Sequence, residues 1–176
     1  MKANKGFTLV EMLVVITILG ILMAMMIPAA GMILKRAKVA QAKSDAGVVT
    51  SVMLKYFAEY NRVPSFYTKA GSPHLTNKEW VDAMSPAPGG TLNKDNLKRV
   101  MFFEGGAGSL GDEKSDFPGA FIDPWGQPYE YQMDEDRDGS IDHPNGGSTI
   151  RARCIAWSGG PDAKTSTWED NVTSWE

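Results

Sequence analysis

Cysteine and histidine are scarce in this sequence. Its 176 residues contain one cysteine, Cys154, and two histidines, His74 and His143. A single cysteine excludes an intrachain disulfide, and so few sulfur and imidazole groups leave little material for a zinc site. Neither histidine lies in a motif that pairs it with a nucleophile, so a membrane-tethered enzyme is a remote alternative. Cys154 lies in an apolar run, and we predict a buried, unreactive side chain.

Charge is almost absent from the N-terminal part of the chain. The 28 residues from Phe7 to Leu34 carry one charged side chain, Glu11. Residues 31–60 then carry five basic and two acidic residues, and residues 61–176 carry 11 basic and 18 acidic residues. Because an acidic domain repels phosphate backbones, we predict that nucleic acid is not a partner.

The apolar run has several interpretations when it is taken from its residues alone. A secretory signal peptide cleaved after Ala30 would place Pro28 where a small residue is required. An uncleaved membrane anchor fits the length, since about 20 apolar residues span a bilayer. Glu11 argues against a plain anchor, because a carboxylate among lipid-facing residues is costly and usually marks a function.

The residues around Glu11 provide a third interpretation. The segment Lys5–Glu11, with the sequence KGFTLVE, resembles the leader junction of type IV prepilins and pseudopilins. The resemblance implies that a prepilin peptidase cleaves after Gly6 and methylates the new N-terminal residue, Phe7. It also implies that Glu11 pairs with the N-terminal amine of a neighbouring subunit, which agrees with the need of a buried carboxylate for an opposite charge.

The pattern further along the chain predicts one long helix followed by a domain. Apolar residues between Val48 and Tyr60 recur at spacings of three and four, which predicts an amphipathic helix that ends before Pro64. The predicted parts are a prepilin leader at 1–6, a transmembrane and filament-core helix at 7–30, an amphipathic spine helix at 31–60 and a periplasmic globular domain at 61–176. The fold class is α+β, with the long N-terminal helix packed on a small antiparallel sheet, as in pilins.

Alternating apolar and polar residues predict the strands of that sheet. Residues 128–133 alternate in this way and residues 150–157 begin in alternation, and we predict that the two pair antiparallel, with a third strand near 100–103. We also predict a short helix at residues 77–84 and a second short element at residues 93–104.

A second motif adds to the resemblance. Asp123-Pro124-Trp125-Gly126, followed by Pro128-Tyr129, resembles the DPWG-x-PY signature of the major pseudopilins of type II secretion systems. The proline and glycine predict a turn, and we expect Trp125 to fill the core. The segments 158–162 and 170–175 resemble the C-terminal loop of the same proteins.

The resemblance implies a structural role in secretion. It implies a homo-oligomeric helical filament in the periplasm, built from a single-pass inner-membrane precursor whose N-terminus is cytoplasmic. The implied partners are minor pseudopilins, an inner-membrane assembly platform, the prepilin peptidase and, before assembly, membrane lipid. The alternative is a type IV pilus pilin for adhesion, motility or DNA uptake. Pilins often carry a C-terminal disulfide loop, which the single cysteine excludes.

An acidic segment between the two main predicted strands suggests a metal site. Its residues follow the pattern D-x-D-x-D-G-x-x-D, which is typical of a calcium loop. The candidate ligands are Asp134, Asp136, Asp138, Ser140 through its backbone carbonyl, and Asp142. Asn145 stands at the twelfth position, where a bidentate glutamate is expected, so the site would be weaker than a complete one. A solvated acidic turn is the alternative.

The resemblance implies calcium at another place. Major pseudopilins bind it in the C-terminal loop, which here would use Asp162, Glu169 or Asp170. The two sites do not exclude each other. In either case calcium would be structural, because it would order a loop with few apolar residues.

Overall fold

The computed structural model describes residues 7–67, 71–106 and 109–175, with the side chains of 25–30 left out. The predicted leader, 1–6, lies outside this range. The described chain forms two units, one ending at Lys38 and the other beginning at Val39. Helix α1, Leu9–Tyr60, runs through both of them, as predicted.

The C-terminal half of α1 contributes one face to the core of the second unit. The buried residues of this face follow helical spacing and are 0–2% exposed: Ala42, Ala46, Val49, Val52, Met53 and Tyr56. The helix packs on the indole of Trp80, whose Nε1 lies 3.1 Å from the sulfur of Met53. Val48 belongs to the predicted apolar face of the helix, but it lies on the outer side, with 39% of its surface exposed.

The end of α1 has a local cause. Asn61 adopts a left-handed conformation (φ 51°), which few residues other than glycine and asparagine tolerate, and its N–H donates to the carbonyl of Phe57 at 2.8 Å. Pro64 follows three residues later, where continuation of the helix is disfavoured. The predicted end of the helix is therefore confirmed.

The main sheet has four strands: β1, His74–Leu75; β2, Glu130–Met133; β5, Cys154–Ser158; and β6, Val172–Thr173. They pair antiparallel in the order β1-β2-β5-β6. In the central pair, Tyr131 lies opposite Ala156 and Met133 opposite Cys154. The α+β architecture with a small antiparallel sheet is thus confirmed.

The strand predicted at 150–157 is two strands in the structure, and the first of them belongs to a separate two-stranded sheet. Strand β4, Thr149–Ile150, pairs with β3, Ile141–Asp142, and not with β2. The chain then passes to the main sheet, where the backbone N–H of Asp134 donates to the carbonyl of Arg153 at 3.0 Å. The alternation of apolar and basic residues continues across this change of partner, and for this reason the pattern predicts one strand.

The segment 93–104 contains turns, with neither the predicted second element nor the predicted third strand. The buried amide of Asn96 takes the place of backbone pairing. It donates to the carbonyls of Ala83 and Val100, both at 2.7 Å, and accepts from the N–H of Val100 and the hydroxyl of Tyr60. The strand that joins β2 on its outer side is β1.

The predicted short helix is confirmed as α2, Lys78–Met84. Asn77 caps it, since its side-chain oxygen accepts from the N–H of Trp80 at 3.0 Å. This cap fixes Trp80 in the centre of the core, against Phe103 and Phe121.

Candidate functional site

The N-terminus of α1 carries the residues that the leader motif singles out. Gly6 lies outside the described residues, and Phe7 is the first residue of the described chain. The Oε2 atom of Glu11 accepts from the N–H of Thr8 at 2.8 Å and from its hydroxyl at 2.7 Å, and the hydroxyl of Thr8 accepts from the N–H of Glu11 at 3.2 Å. This reciprocal arrangement is a capping box, which stabilises the first turn of a helix.

We did not predict the capping role of Thr8, although its signal is present in the sequence. A threonine followed three residues later by glutamate, just before an apolar run, is the usual signature of a capping box. Within one chain Glu11 therefore stabilises its own helix. Its carboxylate remains exposed, so a second donor can still reach it.

The first half of α1 presents apolar side chains without intramolecular cover. All the side chains described between Phe7 and Ala24 are exposed, with Leu9 at 81% and Ile16 at 65%. Continuous apolar surface of this kind is rare on a free soluble protein and marks a surface for association. Among the described residues, no helix is both long enough and apolar enough to cross a membrane.

The DPWG turn is organised by its aspartate. Asp123, which is 4% exposed, accepts from the N–H groups of Trp125 and Gln127 through Oδ1, both at 2.9 Å. Its Oδ2 accepts from the hydroxyl of Ser158 at 2.5 Å, and the oxygen of Ser158 accepts from the N–H of Gly160 at 3.0 Å. The motif therefore ties the turn before β2 to the end of β5.

The prediction that Trp125 fills the core is wrong. Its side chain is only partly buried, and the fully buried tryptophans are Trp80 and Trp157. Turn residues of the DPWG type give no information on which way the indole points, since the hydrogen bonds of Asp123 fix the backbone alone.

The two histidines and the cysteine pack against other side chains. The ring of His74 lies 3.9 Å from that of Tyr67, and the ring of His143 lies 4.8 Å from that of Trp168. Cys154 is buried as predicted, and burial raises the pKa of its thiol far above the usual value. A protonated, inaccessible thiol is a poor nucleophile.

The acidic loop between β2 and β3 brings three of its predicted ligands together. Carboxylate oxygens of Asp134, Asp136 and Asp138 lie within 4.8 Å of one another. Ser140 and Asp142 join these residues in lining one pocket of about 230 Å³. The hydroxyl and the N–H of Ser140 donate to Asp138 at 2.8 and 2.7 Å.

The predicted C-terminal site has a different arrangement. Asp162 accepts from the hydroxyl of Thr167 and from the N–H of Lys164, and these two bonds lower the pKa of its carboxyl. Asp170 accepts from the N–H of Asp162 at 3.3 Å. The carboxylates of Asp162, Glu169 and Asp170 form no cluster within 4.8 Å in the described chain. Two of the three carboxylates, those of Asp162 and Asp170, accept hydrogen bonds from the loop itself. Calcium binding at this place stays a prediction.

The N-terminal residues match a known processing motif. Residues 1–27 match the family described as the prokaryotic N-terminal methylation motif. This match includes Gly6, Phe7 and Glu11, the residues on which the predicted cleavage and methylation depend.

The similarity to curated proteins extends well beyond this motif. The chain is 31% identical over 131 residues to type II secretion system core protein G of Pseudomonas aeruginosa, which covers 74% of each chain. It is 29% identical over 129 residues to the same-named protein of Aeromonas hydrophila, covering 73% of each. The type IV major pilin protein PilA of Myxococcus xanthus is 34% identical over 76 residues, 43% of this chain and 34% of that pilin. No solved structure matches the chain.

The named relatives are a secretion-system core protein and a pilin, so the chain is a structural protein and not an enzyme. The histidines and the thiol described above pack against other side chains. An N-terminal methylation motif, an exposed apolar helix and a similarity to core protein G over 131 residues give one conclusion. The chain belongs to the type IV pilin-like proteins, within the pseudopilin family of type II secretion system core protein G.

Proposed function

We propose that this chain is the structural pseudopilin from which a type II secretion system builds its filament. The observation that carries the proposal is the extent of its similarity to core protein G. That similarity covers 131 residues and so includes most of the globular unit, whereas the match to the Myxococcus pilin covers 76 residues. The N-terminal helix is common to both classes of filament, and the globular unit distinguishes them.

Processing is the first step of the proposed function. A prepilin peptidase cleaves between Gly6 and Phe7 and methylates the amine of Phe7. Before assembly, the apolar segment 7–30 resides in the lipid of the bacterial inner membrane, with the N-terminus cytoplasmic and the globular unit periplasmic. The exposed apolar side chains of residues 7–24 support this arrangement, because removal of apolar surface from water is favourable by about 25 cal/mol per Å².

Assembly is the second step. Copies of α1 exchange lipid contacts for contacts with one another, and Glu11 pairs with the methylated amine of Phe7 in a neighbouring copy. The capping bonds from Thr8 use one oxygen of Glu11, Oε2, so they leave the other oxygen for this pairing. Minor pseudopilins and an inner-membrane assembly platform are the proposed further partners.

A surface pilin is the second candidate, and the match to the Myxococcus pilin favours it. Deletion of the gene in its host distinguishes the two functions. For a pseudopilin, we expect secreted enzymes to accumulate in the periplasm while surface pili and motility remain, and a plasmid copy to restore secretion. Normal secretion together with loss of surface pili would assign the chain to the pilins.

A further inference from the structure

The acidic loop contains a buried carboxylate oxygen that lacks a partner. Asp134 is 7% exposed, and its Oδ2 accepts from the N–H of Gly139 at 3.0 Å. Its Oδ1 is also buried but has no hydrogen-bond partner among the described residues. An uncompensated buried carboxylate oxygen is costly, since buried charge requires pairing or metal coordination.

The surroundings of this oxygen indicate what would satisfy it. Asp134 lines the pocket described above, which it shares with the carboxylates of Asp136 and Asp138. Three carboxylates at this separation repel one another unless a cation lies among them. Among the described residues that line the pocket, none carries a positively charged side chain.

From these observations we propose that the loop Asp134–Asp142 binds one calcium ion. The ligands are carboxylate oxygens of Asp134, Asp136 and Asp138, with Ser140 contributing its backbone carbonyl. Oxygens on opposite sides of a calcium ion lie up to about 5 Å apart, given Ca–O distances of about 2.3–2.6 Å, which agrees with the 4.8 Å limit of the cluster. Magnesium would require opposite oxygens about 4 Å apart and near-octahedral geometry.

The backbone of the loop suits this role. Gly139 has φ 84° and allows the chain to turn at the sixth position, directly after the third aspartate. Asp142 lines the same pocket at the ninth position, where a ligand often binds through water. Asn145, at the twelfth position, is not among the lining residues, so we expect a dissociation constant of about 10⁻⁵–10⁻³ M, weaker than in a complete loop.

Calcium at this place would fix contacts between the loop and the end of α1. The guanidinium of Arg137 lies 5.0 Å from the ring centre of Phe57, and its Nη2 donates to the carbonyl of Asn61 at 3.4 Å. Arg137 adopts a left-handed conformation (φ 63°) in the middle of the three aspartates. The ion would therefore order the loop that covers the last turn of the helix.

The first test counts bound calcium on the full chain, purified in detergent and stripped with chelator. We expect equilibrium dialysis with radioactive calcium to give one ion fewer per chain for Asp136→Asn and for Asp138→Asn than for the unmodified protein. Asp116→Asn, an exposed aspartate in another loop, is the matched control and keeps the full number. Asp162→Asn tests whether the bound ion belongs to the C-terminal loop instead. We expect this variant to keep the ion at Asp134–Asp142.

The second test uses thermal unfolding. The expected effect of Asp136→Asn on Tm has opposite signs without calcium and with calcium. Without calcium, Asp136→Asn removes repulsion and raises Tm. With calcium at about 100 times Kd, the unmodified protein gains about 5–10 °C from this site and Asp136→Asn loses that gain. An unchanged number of bound ions in both aspartate variants would overturn the proposal, and an equal gain with magnesium at the same concentration would overturn the assignment to calcium.

Discussion

Filaments are expected to be lost when Glu11 is replaced by glutamine, although the leader is still removed. In the proposed filament the carboxylate of Glu11 pairs with the methylated amine of Phe7 in the next copy. Glutamine leaves that buried amine without a counter-charge, at a cost of about 3–5 kcal/mol for each contact, or at least about 100-fold in association. Release of the periplasmic contents, followed by sedimentation and detection of the subunit in the filament fraction, measures the effect.

Glutamine at position 11 distinguishes the capping role of Glu11 within one chain from its charge pairing with a neighbouring chain. A capping box accepts glutamine as well as glutamate, so Glu11→Gln keeps the cap and loses only the charge. Thr8→Ala removes the cap, costs about 1 kcal/mol of helix stability and should leave most assembly intact. Thr17→Val, a polar change in the same exposed segment, serves as control. Normal filaments with Glu11→Gln and none with Thr8→Ala would show that Glu11 acts only as a cap.

The largest expected loss of stability follows replacement of Asp123 by alanine. This change leaves two partly buried N–H groups of the DPWG turn, and the buried hydroxyl of Ser158, without their acceptor. We expect the free energy of unfolding of the detergent-solubilised chain to fall by about 3–4 kcal/mol, as measured by urea denaturation followed by tryptophan fluorescence.

Asp112→Ala is the matched control for this experiment. Asp112 makes the same kind of turn, with Oδ1 accepting from the N–H of Lys114 at 3.0 Å, but it is exposed. Its loss should cost no more than about 0.5 kcal/mol. Equal losses from the two variants would mean that the buried network of Asp123 adds nothing to an ordinary turn.

The parts of the fold that repeat a local pattern were predictable from the sequence. Helical spacing of apolar residues placed the end of α1 at Tyr60, and alternation located the central strand β2 within one or two residues. The carboxylates of the acidic loop also follow a local pattern, because positions one, three and five of a tight loop point towards one centre. Carboxylate oxygens of Asp134, Asp136 and Asp138 lie within 4.8 Å of one another, and calcium binding there stays a proposal.

The features that the sequence did not predict depend on contacts between distant segments. Strands β1 and β6 have two residues each, too few for a period to be seen. Asn96 replaces backbone pairing in the segment 93–104 through bonds to residues on either side, and such a role leaves no local signal. The same holds for Asp123, whose importance depends on Ser158, 35 residues away.

The central claim is that this chain is processed and assembled as a filament subunit, and the mass of its N-terminal peptide tests it most directly. The protein is extracted from membranes of a host that contains the prepilin peptidase, and its N-terminal peptide is measured by mass spectrometry. The account predicts a peptide that begins at Phe7 and is heavier than the unmodified sequence by one methyl group. A peptide that begins at Met1 in such a host, or at Gly31 after removal of the apolar segment, would contradict it.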